Sequence, residues 1–196
     1  MTHPSPTLIL ASSSVYRRAL LDRLLSDYRC ISPDIDETPQ PLESPSALAL
    51  RLAEEKARAV ASPYENAIII GSDQAPALGD QILHKPGDHA RAAQQLAECS
   101  GRSVIFNTAV AIFETVSQTV ITHLDETIVH FRQLNEAEIE TYLQLDEPYD
   151  CAGSFKVESR GVVLFDRIES QDPTALQGLP LIWVAHQLRT LGVTFT

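Results

Sequence analysis

The sequence predicts an α/β fold with a mixed sheet, and three observations carry that expectation. Two unbroken apolar runs, Leu8-Ile9-Leu10-Ala11 and Ile68-Ile69-Ile70, have the character of strands covered on both faces. Stretches of helical period with cap residues at their starts lie between and after them. Strands that stand alone early in the chain give way to successive strands in its second half, a mixture that belongs to α/β folds. At 196 residues the chain fits one large domain, or one domain with two lobes.

Composition narrows the function. Apolar residues make up 44% and charged residues 21%, a globular balance. The net charge of −11 argues against a general binder of nucleic acid or of anionic membranes, each of which needs a basic field. It leaves room for an anionic small substrate met by a local cluster of Lys and Arg. Cys30, Cys99 and Cys151 are odd in number and form no CxxC pair, which argues against a disulfide framework or a thiolate zinc site and for a reducing compartment. Met1–Pro6 has no basic region leading into an apolar one, and no run approaches the length of a membrane span. A cytoplasmic protein is expected.

The elements follow in order. Thr7–Ala11 is the first buried strand, and Ser12-Ser13-Ser14 is a polar turn after it. Val15–Leu25 has helical character, with Tyr16, Ala19, Leu20 and Leu24 on one stripe. The turn therefore feeds a helix N-terminus, which suits an anion. Arg17 and Arg18 oppose the dipole there; they are either a solvated pair or the partners of a strongly negative ligand. Cys30–Pro41 is irregular and carries Asp34, Asp36 and Glu37. Ser44 suits an N-cap and Pro45 the first helical position of a helix to about Ala61. Its stripe of Ala49, Leu52, Ala53, Lys56 and Val60 includes a cation, read either as snorkelling at the edge of the core or as held for a phosphate.

The triple-Ile strand stops at Gly71 and delivers Asp73 at its C-terminal end, where open α/β sheets bind ligands. Ala75–Lys85 leads to Pro86-Gly87-Asp88 and a helix to about Cys99, which Ser100-Gly101 ends. Val104–Phe113, Thr119–Leu124 and Thr127–Arg132 are expected to be three strands. Asn135 and Glu138 pair as a capping box for a helix to Gln144, and Pro148 stops the chain. Asp150–Lys156 is a loop, Gly161–Phe165 a strand, and Gly178-Leu179-Pro180 leads into a last helix ended by Gly192.

The polar residues at element ends form a set: Ser12, Arg17 and Arg18, then Asp36 and Glu37, Lys56, Asp73 and Lys85. A few acids with several cations is the inventory that holds a divalent metal and a polyphosphate together. Mg²⁺ takes hard oxygen ligands, one or two carboxylates plus phosphate oxygens. Cations neutralise a leaving pyrophosphate, and a carboxylate can activate the attacking water.

With these residues in order, the chain resembles the Maf family of nucleotide pyrophosphatases. The matching motifs are Leu8-Ile9-Leu10-Ala11-Ser12 through Arg17-Arg18-Ala19-Leu20-Leu21, Asp36-Glu37-Thr38, Ala53-Glu54-Glu55-Lys56-Ala57, Gly71-Ser72-Asp73-Gln74 and Lys85-Pro86. Ser100-Gly101, Cys151-Ala152-Gly153-Ser154-Phe155-Lys156 and Gly178-Leu179-Pro180-Leu181 complete the series. The resemblance implies a single Maf-like domain over residues 1–196 with the Maf/inosine-triphosphate-pyrophosphatase-like fold, an elongated mixed sheet with helices and a cleft between two lobes. It also implies hydrolysis of a nucleoside triphosphate to the monophosphate and pyrophosphate, with a divalent cation, Mg²⁺ or Mn²⁺. Ser12, Arg17, Arg18, Lys56 and Lys85 would bind substrate, Glu37 and Asp73 the metal, and Asp73 would accept the proton.

Gly71-Ser72-Asp73-Gln74 and Ser154-Phe155-Lys156 resemble the branch acting on 7-methyl-GTP, with Tyr16, Gln74 and Lys156 at the positions that set specificity. The aromatic face of Tyr16 suits the cationic N7-methylguanine, and Gln74 can bond a base edge. The alternatives are a dTTP/UTP pyrophosphatase of the same family and a non-catalytic nucleotide-binding regulator of cell division. Family members are often dimers, so a homodimer is a further expectation. Val15-Tyr16 stands where many members have Pro and Arg, and His84 replaces the usual Gly before Lys85-Pro86.

Overall fold

The computed structural model describes residues 5–195. Most of the opening stretch that bears on a leader, residues 1–4, lies outside them. The described chain forms a seven-stranded mixed sheet, in the order β2-β1-β3-β5-β6-β7 with β4 on β3, and five α-helices. It divides into two compact units. The first holds the described residues up to Gln74, then Thr108–Asp125 and the described residues from Asp172 on; the second holds Ala75–Asn107 and Glu126–Gln171. None of the described helices is long and apolar enough to cross a membrane.

The first unit is built on β1 (Thr7–Ala11), α1 (Val15–Leu21), β2 (Arg29–Cys30), α2 (Pro45–Ala59) and the start of β3 (Ala67–Leu78). β1 pairs in parallel with β2 on one side and with β3 on the other, with Ala11 opposite Gly71. A parallel pair needs a crossover, and here the chain crosses first one way and then the other. The two crossover helices consequently lie on opposite faces of the strands. On one face Leu10, Ile68 and Ile70 share a core with Leu20, Leu21 and Leu25 and with Leu181, Val184 and Leu188 of α5 (Leu181–Thr190). On the other face α2 packs so closely on β3 that a Cβ on Gly71 would lie 2.2 Å from the Ala53 carbonyl oxygen and 2.7 Å from the Ala57 nitrogen.

Local chemistry starts each helix. Ser14 and Ser44 accept hydrogen bonds from the backbone N–H groups of Arg17 and Ala47, three residues on. Helix α5 begins after Pro180, which offers no side chain for the purpose. Its first amides are met from upstream instead, Leu181 N donating to Thr174 Oγ1 at 2.9 Å and Ile182 N to Asp172 Oδ2 at 2.7 Å.

The second unit contains the end of β3, β4 (Gln81–Ile82), α3 (His89–Cys99), parts of β5 (Ser103–Glu114) and β6 (Thr119–Phe131), α4 (Glu136–Asp146) and β7 (Phe165–Glu169). The expected capping box is present, Asn135 accepting from Glu138 N while Glu138 accepts from Asn135 N. Phe106, Phe131, Phe155 and Phe165 form its aromatic core, edge to face at centroid separations of 4.7 to 5.8 Å.

Four expectations are corrected. β3 does not stop at Gly71 but runs to Leu78, so Asp73 lies inside a strand. Gly71 marks the close approach of a helix, which a glycine in a strand can serve as readily as a stop. Thr119–Leu124 and Thr127–Arg132 are one strand, β6, with buried Asp125 in its interior. Gly161–Phe165 is mostly a 3₁₀ turn, Arg160–Leu164, entered through a tight bend in which Gly161 N bonds back to the Lys156 carbonyl; the strand begins only at Phe165. Helix α1 ends at Leu21 and buries Leu20 and Leu21, while Ala19, expected on the apolar stripe, is exposed.

The close approach at Gly71 yields the first expected outcome. Gly71→Ala forces a methyl into backbone atoms that cannot rotate away, an overpacking of about 1–3 kcal/mol. Thermal denaturation should show a Tm lowered by roughly 2–4 °C for each kcal/mol. An unchanged Tm would show that α2 can shift at no cost.

Candidate active site

β1 ends at Ala11 opposite Gly71, so Ser72, Asp73 and Gln74 of β3 continue beyond it. This is the carboxyl end of a parallel pair at the point where the crossovers part to opposite faces, the position at which open α/β sheets hold ligands. Alternation along the strand splits the three residues. Asp73 points with Gly71 toward α2, while Ser72 and Gln74 point toward the segment that precedes α5.

On the α2 face, Lys56 Nζ lies 2.6 Å from Asp73 Oδ1 and 2.8 Å from Glu37 Oε1. The side chains of Lys56 and Asp73 are only 7% and 12% exposed, and that of Glu37 is 59% exposed. Of the two readings of Lys56, snorkelling does not describe it, because the side chain is buried and its ammonium is held by two carboxylates. A buried Lys without partners would be costly, and the two carboxylates repay its desolvation. The group has one net negative charge and opens to solvent on the Glu37 side.

The loop that carries Glu37 is clamped. Arg51 donates from Nε to Glu43 Oε1 at 2.7 Å and from Nη2 to Glu43 Oε2 at 2.8 Å, a bidentate pair. Arg51 Nη2 also reaches the Thr38 carbonyl, and Gln40 N donates to Glu43. The hydrogen bonds from Arg51 hold the Glu43 carboxyl at about 2, well below its usual 4.5. Thr38, through its side chain and its N–H, holds the Asp36 carboxyl low in the same loop. Glu43 and Arg51 are absent from the sequence reading. They are eight residues apart across the N-cap, outside the spacings at which helical neighbours pair.

Arg17, the third residue of α1, sends its Nε to the Gly178 carbonyl at 2.9 Å. Burial lowers the pKa of its guanidinium, and the charges of Asp73 and Glu37 work against that shift. The opposition between Arg17 and the helix dipole is thus met by a carbonyl and two carboxylates. Gly178 has φ of 105°, in the region that favours glycine, and a Cβ there would come within 3.3 Å of Arg17 Nε. Ser72 Oγ lies 2.9 Å from the same carbonyl and 2.7 Å from that of Ala109. Ser12 is buried, and its Oγ accepts from Ser14 N. Tyr16 is half-buried and Arg18 exposed, both on α1.

Lys85 and Lys156 belong to the second unit. Lys85 is exposed between β4 and α3. Lys156 Nζ donates to the carbonyls of Asp146 and Glu147 at 3.2 and 3.4 Å, at the C-terminal end of α4. A cation there satisfies orphan carbonyls and complements the dipole. Its backbone N–H donates to Tyr142 Oη.

The donor set fits a divalent cation that arrives with phosphates. Asp73 and Glu37 each engage Lys56 through one carboxylate oxygen. Among the described residues no group of three His, Cys, Asp or Glu could close a metal site on its own. Two carboxylates completed by phosphate oxygens are what Mg²⁺ takes.

Two outcomes follow from this geometry. Lys56→Ala leaves two uncompensated carboxylates, one of them buried, and breaking such a pair costs about 3–5 kcal/mol. Tm and kcat/KM should both fall; a loss of Tm with kinetics intact would return Lys56 to a structural role. The Glu43 clamp has a defined pH dependence. A carboxyl with a depressed folded pKa stabilises fully above its unfolded value of 4.5 and loses that stabilisation as pH falls toward about 2. Amide exchange of residues 38–43, corrected for intrinsic rate, should lose protection across that window. In Arg51→Gln protection should already be low at neutral pH.

Comparison with known proteins places this arrangement in a family. A family model described as Maf-like protein matches residues 7–191. A 7-methyl-GTP pyrophosphatase of Xanthomonas axonopodis pv. citri is 53% identical over 187 residues, 95% of this chain and 97% of the relative. Proteins of the same name from Bordetella avium, 50% identical over 194 residues, and Thiobacillus denitrificans, 49% identical over 193 residues, match 97% and 98% of this chain and 96% of each relative. The buried Lys56 between Asp73 and Glu37 and the motifs around it therefore have a family context: the chain belongs to the Maf family.

Proposed function

We propose that the protein hydrolyses 7-methyl-GTP to 7-methyl-GMP and pyrophosphate. The relatives named above support the substrate, at about half identity over nearly the whole chain. The observation that carries the chemistry is the buried ammonium of Lys56 held between Asp73 and Glu37 at the end of the parallel strands.

In this reading a water oxygen attacks the α-phosphorus, the bond from that phosphorus to the bridging oxygen breaks, and pyrophosphate leaves. Asp73 accepts the proton of the water as general base. Lys56 holds that carboxylate in place, and its charge, with that of Arg17, faces the negative charge that develops on the phosphates. Ser12 and Arg18 bind phosphate from the turn and helix that follow β1, and the family resemblance adds Lys85 to the substrate-binding residues. A divalent cation bound by Asp73 and Glu37 would neutralise phosphate charge and orient the chain of phosphates. Tyr16, Gln74 and Lys156 set the choice of base. Cys30, Cys99 and Cys151 are not joined in disulfides, which suits the reducing cytoplasm.

Asp73→Asn tests the reading. It preserves shape and removes the base, so pyrophosphate release from 7-methyl-GTP should fall by roughly 10²–10⁴-fold, with circular dichroism unchanged. Turnover near that of the parent protein would falsify the assignment of Asp73. A parent protein that releases no pyrophosphate from 7-methyl-GTP but does so from dTTP or UTP would move the substrate to the other branch.

A further inference from the structure

Gln74 is half-buried on β3, one residue past Asp73 and on the opposite face of the strand. Its amide nitrogen has three acceptors. Nε2 lies 2.9 Å from Thr108 Oγ1 and 3.1 Å from the carbonyl oxygens of both Ala175 and Leu176. A carbonyl oxygen can only accept, so the amide has one orientation, with its NH₂ turned to the protein. Thr108 is fully buried and gives its own proton to the Ala175 carbonyl at 3.0 Å, which leaves its oxygen as an acceptor for Gln74. The other end of the amide is different. Oε1 accepts from no protein group among the described residues, and none of their buried side-chain oxygens or nitrogens lacks a partner, so Oε1 is reached by solvent.

We propose that Thr108 is a positioning residue for substrate selection. Together with the Ala175 and Leu176 carbonyls, which set the orientation, its hydroxyl holds the Gln74 amide so that Oε1 is the atom presented, as an acceptor for an N–H donor on the base. The inference rests on the nucleotide reading above and deepens it. A freely turning Gln offers donor and acceptor alike and reads base edges loosely. A locked one accepts bases that bring a donor and leaves those that bring only acceptors facing a lone pair. The donors on 7-methylguanine are N1–H and the 2-amino group. The interaction is remote from the breaking bond, so it acts on binding of ground state and transition state alike and appears in KM.

The test crosses protein variants with substrate variants, reading kcat and KM for 7-methyl-GTP, for 7-methyl-ITP, which lacks the 2-amino donor, and for 1,7-dimethyl-GTP, which lacks N1–H. The parent protein should discriminate against at least one analogue. Gln74→Met, which keeps length and loses the acceptor, should abolish that discrimination. Thr108→Val keeps the shape of the side chain and removes its hydroxyl. It should reduce the discrimination roughly three- to tenfold, the range of one ordinary hydrogen bond, through KM with kcat held. Thr108→Ser should restore it. Should Thr108→Val fail to fold, Thr108→Ser and Gln74→Met still decide the matter. Discrimination that survives in Gln74→Met, or a Thr108→Val variant that loses kcat equally on every substrate, would overturn the proposal. So would a Thr108→Ser variant that lacks the discrimination. If the parent protein turns over none of the three, the nucleotide reading itself fails, an outcome separable from equal use of all three, which overturns only the role of Thr108 and Gln74.

Discussion

Helix α2 lies on β3 with no side chain between them at Gly71, and the geometry of the first unit depends on that contact. Small residues line it on the helix side, Ala53 and Ala57, both buried. One turn of helix and two residues of strand carry this register to Lys56 and Asp73, which meet at 2.6 Å. An ion pair so enclosed is sensitive to displacement, because desolvation is offset only when donor and acceptor sit at bonding distance. The backbone contact supplies the precision that a flexible Lys side chain lacks. A core of packed side chains could drift by fractions of an ångström; backbone against backbone has less freedom to do so.

Charge in the first unit is arranged from three directions. Asp73 comes from the strand, Lys56 from the helix and Glu37 from a loop that is fixed at its base by Glu43 and Arg51. Arg17 adds a fourth, tied to the Gly178 carbonyl, and its guanidinium feels both acids. Loops serve function when a scaffold holds their ends. The Glu43–Arg51 pair does this for Glu37, which is left more than half exposed at its tip. The Gly178 carbonyl, shared by Arg17 and Ser72, ties the segment before α5 to both α1 and β3.

The second unit shows the same economy in a different place. Lys156 caps α4 while its neighbours Gly153, Ser154 and Phe155 pack on the aromatic core and on α3; Ser154 donates to Gln95 at 2.5 Å and Phe155 meets Phe106, Phe131 and Phe165. Gly153 and Ser154 both have positive φ, at 82° and 62°. That conformation is natural to Gly153 but costly for Ser154, which contacts on both sides hold in it. A position marked for specificity by family resemblance has a structural anchor here, and its hydrogen bonds to carbonyls place its charge.

Much of this was legible in the sequence because it is local. The buried strands Thr7–Ala11 and Ile68–Ile70, the caps Ser44 and Asn135 with Glu138, and the apolar stripe of α2 all follow from period and from short-range hydrogen bonds. The ordered motifs placed Asp73, Lys56 and Glu37 in one set and the chain in its family. The strand boundaries were less legible, since Gly71 carries the same letter whether it stops a strand or admits a helix. The partners were not legible at all. That Lys56 turns inward to two carboxylates, that Arg51 holds the Glu37 loop, and that Thr108 faces Gln74 depend on distances between segments far apart in the chain. The one trace of the last was a polar pair, Asn107-Thr108, inside the apolar run of β5. The residue types and their order were determined by the sequence alone. Which of them touch was decided by the tertiary structure, because an ion pair or a buried hydrogen bond exists only at a separation that no local pattern specifies.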